Sequence, residues 1–114
     1  MLAYSLNRPV ILERLGDDEE ILAMMIDMYL QDVDNNCSAL DSALAAEDAS
    51  GLLREVHTVK GLLATFADED GAAMAFALES RLKEGDMRDA EAAIAELQAR
   101  MSEIAVVLQG EIGG

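Results

Sequence analysis

The chain has 114 residues, with 23 acidic against 8 basic side chains and a formal net charge of −15. That length fits one domain, and a field of that sign repels phosphate backbones and anionic lipid, so neither nucleic acid nor a membrane is expected as a partner. One Cys and one His leave no internal disulfide and too few ligands for a zinc-type metal site. Hydrophobic residues make up 52% of the chain, but with two Phe, two Tyr and no Trp the apolar set is mainly Ala, Leu, Met and Ile. Those residues suit helices, whereas strands favour β-branched and aromatic ones. No apolar run reaches the length of a bilayer span, and MLAYSLNRPV lacks the basic and then apolar segments of a signal peptide. The expected location is the cytoplasm.

Taken in chain order, Asn7 caps a short first helix through Leu15, with Pro9 in its first turn and Gly16 closing it. Asp17 and Glu20 form a D-x-x-E capping box. Behind it Leu22, Met25, Tyr29, Val33, Cys37, Leu40 and Leu44 recur at spacings of three and four, which predicts one long helix over about 18–46. Asp48 caps a third helix that carries Leu52, Val56, Val59, Leu63 and Phe66 inward. The stretch from Ala67 to Gly71 holds a turn and the acidic start of a fourth helix, with Ala75, Leu78 and Leu82 as its inner face. After a turn at Gly85-Asp86, Ala90, Ile94, Leu97, Met101, Ile104 and Leu108 mark the last helix. The fold class is therefore all-α: an antiparallel up-and-down four-helix bundle with a short extra N-terminal helix. It reads as a single domain over 1–114, with the bundle core at about 17–109 and a frayed tail at 111–114.

The chemical inventory is short. There is no Gly-rich phosphate loop, no G-x-S-x-G elbow and no E-x-x-H pair, so enzyme readings converge on His57. On a wheel of about 100° per residue, His57, Lys60, Gly61 and Ala64 share a strip beside the core face and point outward. A Gly inside a helix costs about 1 kcal/mol relative to Ala, and on an outward strip it marks close approach by a second protein. An exposed neutral imidazole is an available nucleophile, and a cation one turn away can steady an anionic transferring group. The strip suits phosphotransfer.

The segment His57-Thr58-Val59-Lys60-Gly61 resembles the H-x-[LIV]-K-G signature of histidine-containing phosphotransfer (HPt) domains. Asp48 through Phe66 (DASGLLREVHTVKGLLATF) is similar to the family's phosphorylation helix, and Leu15-Gly16-Asp17-Asp18, Leu78-Glu79 and the Gly85-Asp86 turn also fit. The likeness runs from about residue 9 to 108. It implies that His57 is the phosphoacceptor, at Nε2, that Lys60 is the phosphate-side cation, and that Gly61 admits the partner, with Ala64 and Leu53 on the docking surface. Glu79 either orients the imidazole through Nδ1, as in some relatives, or is an ordinary solvated carboxylate. The chain departs from many relatives at Leu62 and Leu63, where Ser or Ala follows the Gly, and at Ala67, where Gly follows the Phe.

The function so implied is a phosphorelay intermediate. It takes a phosphoryl group from a receiver-domain aspartate and passes it to another receiver, in hybrid sensor kinases and response regulators. It has no ATP-dependent kinase activity, no metal and no cofactor of its own, since the Mg²⁺ would belong to the receiver; a monomer is expected. Two other readings remain. One is a helical adaptor that binds a kinase or receiver without turnover. The other is a kinase fragment: the dimerising segments of histidine kinases resemble H-[ED]-x-[RK]-x-P, whose Pro this helix lacks, whereas the phosphoacceptor domain of chemotaxis kinases shares H-x-x-K-G.

Overall fold

Short polar side chains fix where the helices begin. In a computed structural model that describes residues 2–113, the elements are α1 (Arg8–Arg14), α2 (Glu19–Ala45), α3 (Ala49–Thr65), α4 (Glu69–Lys83) and α5 (Ala90–Gly113). Asn7, Asp18, Asp48 and Asp68 each turn a side-chain oxygen onto free amides of the first turn of α1 to α4. The cap of α2 is Asp18, bonded to the amides of Glu20 and Ile21 at 3.0 and 3.1 Å, and not Asp17 as the D-x-x-E pattern suggests. Gly16 and Asp17 both adopt left-handed backbone, at φ 67° and 62°, to turn the chain out of α1, and this moves the cap one residue on.

Each long helix packs beside the next, and α5 closes the ring against α2. This is the up-and-down bundle expected, 41 × 22 × 21 Å in extent. Inward residues at helical spacing, among them Leu22, Leu40, Leu52, Leu63, Ile94 and Met101, are at most 1% exposed. Each such Leu, Ile or Met stabilises the fold by about 1.5–3 kcal/mol in burial. Tyr29 and Phe66 meet edge to face at 5.4 Å, and the Tyr29 hydroxyl donates to the Met101 carbonyl at 2.8 Å. The α1 helix contributes Ile11 to the core and ties to the end of α3, where Arg14 donates to the Ala64 carbonyl at 3.1 Å. The helix α5 continues through Gly113, past the point where the sequence suggests fraying, and Arg8 reaches Glu111 at 3.5 Å there. Gly114 lies outside the described residues.

The turn between α3 and α4 is sealed by charge. Asp68 caps α4 through the Gly71 amide, and Arg100 of α5 donates to both its oxygens at 2.7 and 2.8 Å. Both side chains are buried, at 2% and 4% exposure. Arg100 also holds the Leu2 carbonyl, and the Tyr4 hydroxyl donates to the Phe66 carbonyl at 2.9 Å, so the N-terminal segment is strapped over this end. The departure at Ala67 falls in the same turn. Ala67 ends α3 at φ 59°, a conformation that favours glycine.

Candidate functional site

The outward strip of α3 is positioned by its inward neighbours. Val56 and Val59 are at most 1% exposed and lock the helix rotation, which leaves the His57 side chain 68% exposed. Lys60 is partly covered, Gly61 and Ala64 are exposed, and Leu53 is half-buried against the core. Beyond its chain neighbours and the backbone of its own helix, a Cβ on Gly61 would meet no atom within 4 Å. The glycine is therefore not required by packing against a neighbouring helix. Leu63 is a core residue, and Leu62 lines a shallow apolar groove with Met25, Met28 and Thr65.

Across from His57, α4 buries Ala75, Leu78 and Leu82 and so turns Glu79 toward α3. The Glu79 side chain is only 3% exposed, so it is not a solvated carboxylate. Its Oε2 lies 2.6 Å from His57 Nδ1, and its Oε1 accepts from Lys60 Nζ at 2.9 Å. The Lys60 hydrogen bond, then that of His57, holds the Glu79 carboxyl down at about 2, against burial, which pushes it up. The carboxylate is thus ionised and can only accept, so Nδ1 must carry the proton. In the neutral ring the lone pair then sits on Nε2, on a side chain open to solvent. The geometry orients the ring and leaves its other nitrogen unengaged.

Two members of this cluster are absent from the sequence reading. Lys83, on Glu79's own helix, places Nζ 3.7 Å from Oε1. Phe76, 57% exposed, stacks its ring 5.4 Å from Lys60 Nζ. Their signal was faint: Phe76 and Lys83 stand three before and four after Glu79, positions that share a helix face.

The sequence model of the Hpt domain family matches residues 24–106, which span α3 with its histidine strip and α4 with Glu79. The chain belongs to the Hpt domain family. It is a histidine phosphotransfer domain of phosphorelay signalling, a family that works with receiver domains. No curated protein sequence matches it closely enough to count as a relative. Among solved structures it is similar to histidine-containing phosphotransfer protein B (HptB) from Pseudomonas aeruginosa PAO1, with a TM-score of 0.84 and 22% identity over 96% of each chain. It is also similar to the HPT domain of a sensor hybrid histidine kinase from Shewanella, with a TM-score of 0.81 and 19% identity over 95% of this chain and 93% of that one. At these identities the two structures speak for the Hpt fold. Among the described residues, no helix is long and apolar enough to cross a membrane.

Proposed function

We propose that His57 is the phosphoacceptor, taking a phosphoryl group on Nε2 from a receiver-domain aspartate and passing it to a second receiver. The observation that carries this reading is the 2.6 Å contact between His57 Nδ1 and an ionised, buried Glu79, which orients the ring and leaves Nε2 free. Glu79 also meets the positive charge that the ring gains when Nε2 bonds to phosphorus. Lys60 steadies the phosphoryl oxygens. Gly61, with open space where a Cβ would be, lets the rim of the receiver approach, and Ala64 and Leu53 extend the contact.

The partners are receiver domains of hybrid sensor kinases and response regulators, and the domain acts as a monomer in the cytoplasm. The ring of four helices closed within one chain and the lone Cys37 support that reading. The domain needs no cofactor of its own, because the Mg²⁺ for transfer sits on the receiver.

A chase experiment tests the proposal. A labelled, phosphorylated receiver should load the purified protein, and a second receiver should then unload it. Labelled ATP with Mg²⁺ alone should leave it unlabelled. Binding to receivers without any labelling would favour an adaptor, and labelling by ATP alone would make the chain a kinase.

A further inference from the structure

Glu79 gathers three donors around two oxygens, and only two of them sit at hydrogen-bond distance. Oε2 takes His57 Nδ1 at 2.6 Å and Oε1 takes Lys60 Nζ at 2.9 Å, while Lys83 Nζ stands 3.7 Å from the same Oε1. Lys83 follows Glu79 by one helical turn, the acid-before-base order that suits a helical ion pair. Its side chain is 63% exposed, so it has room to move.

Lys60 is engaged by the carboxylate that holds Nδ1, and not by anything at Nε2. The two imidazole nitrogens face different ways. Lys60 shares a carboxylate with Nδ1, whereas the phosphoryl group arrives at Nε2. In the transfer step the Nε2 lone pair forms the N–P bond. The P–O bond to the receiver aspartate breaks, and its electron pair leaves with the aspartate carboxylate. The Nδ1 proton stays, so the ring becomes cationic. An ammonium that turns to the phosphoryl oxygens leaves Oε1 just when Glu79 must remain a fixed anion. A buried carboxylate that loses a partner carries the full cost of its desolvation.

We infer that Lys83 is a positioning residue, which replaces Lys60 on Oε1 of Glu79 when Lys60 turns to the phosphoryl group. The inference rests on the reading of His57 as the phosphoacceptor. Lys83 acts only through Glu79 and touches no reacting atom. The exchange keeps His57 Nδ1 on Oε2 and one lysine at hydrogen-bond distance from Oε1 in both states of the domain, so the hold on Nδ1 persists through the transfer.

The test compares the intact protein with Lys83→Gln and Lys83→Arg, loaded by a phosphorylated receiver or by phosphoramidate as a small donor. Three quantities are measured: the loading rate, the melting temperature, and the NMR signal of the His57 Nδ1 proton before and after phosphorylation. Lys83→Gln should melt normally and load about fivefold more slowly, the upper end for an exposed ion pair. Its Nδ1 proton signal should match the unsubstituted protein before phosphorylation and be weakened only afterwards. Lys83→Arg should restore both rate and signal. An unchanged rate and signal in Lys83→Gln would overturn the inference, because Lys60 would then serve Glu79 and the phosphoryl group together. Equal loss of the signal in both states, or failure of Lys83→Arg to restore it, would also overturn it. If the unsubstituted protein takes no phosphoryl group on His57 from either donor, the reading of the site itself falls, and that is seen before any variant is made.

Discussion

Two carboxylates at opposite ends of α4 are buried to nearly the same degree, Asp68 at 2% and Glu79 at 3% side-chain exposure, and they do different work. Asp68 is matched by an Arg100 that is itself 4% exposed and bonded through both oxygens, so every member of the pair is enclosed. Glu79 is matched by His57, Lys60 and Lys83, whose side chains are 68%, 26% and 63% exposed. A charge paired with enclosed groups fixes the fold. One paired with groups that reach solvent leaves those groups open to a partner. Burial of a carboxylate is common to both ends, and the exposure of its partners separates them.

The largest break in that comparison is at the enclosed end. Arg100→Met leaves the Asp68 carboxylate buried without its cation, and loss of one partner of a buried pair costs about 3–5 kcal/mol. Urea denaturation should show a fall of that order, while the protein still folded in dilute buffer loads phosphate at its usual rate. A loss below about 1 kcal/mol would mean that the pair does not hold the end closed.

At the open end the order of effects reverses. Glu79→Gln keeps size and shape but loses the charge that meets the cationic ring, and transfer should fall about tenfold, the scale supplied by groups that orient a histidine. The acid limb of stability should change as well. The Glu79 carboxyl is held at about 2, below its ordinary 4.5, so its contribution is present above that ordinary value and is lost as pH falls toward about 2. Stability curves of the two proteins should therefore converge on acidification through this window. Parallel curves would contradict the ion cluster.

The smallest changes in stability separate two backbone positions. Gly61 is helical with open space around it, so Gly61→Ala should stabilise by up to about 1 kcal/mol, with a modest loss of transfer. Gly61→Gln should melt nearly as before yet transfer far less from a receiver than from a small phosphodonor. Ala67 stands at φ 59°, where an L side chain is disfavoured, so Ala67→Gly should stabilise the α3–α4 turn by about 1 kcal/mol without touching transfer. Thermal melts and loading rates on the same samples decide both.

The bundle and the His57 strip were legible because the inward residues of α3 repeat at three and four, and a helix wheel turns that pattern into faces. The D-x-x-E pattern puts the cap of α2 one residue early, since the sequence does not show that Asp17 takes a left-handed backbone. Arg100 and Asp68 were not legible as a pair. They are 32 residues apart, and Asp68 in the run Asp68-Glu69-Asp70 looks like an ordinary acidic helix start. Glu79 stays open between two readings in the sequence because it flanks Leu78 at the border of the inner face, where pattern alone does not say which helix it meets. The contact with His57 is a product of how α3 and α4 pack, and so is the place of Lys83.

The most direct test of the central claim removes the nucleophile and keeps the cluster. His57→Gln is loaded beside the unsubstituted protein by a labelled, phosphorylated receiver, with the fold checked by its helical circular dichroism. The account predicts an intact bundle with no acid-labile phosphate, against stoichiometric labelling of the unsubstituted protein. Undiminished acid-labile phosphate on a folded His57→Gln protein would contradict it.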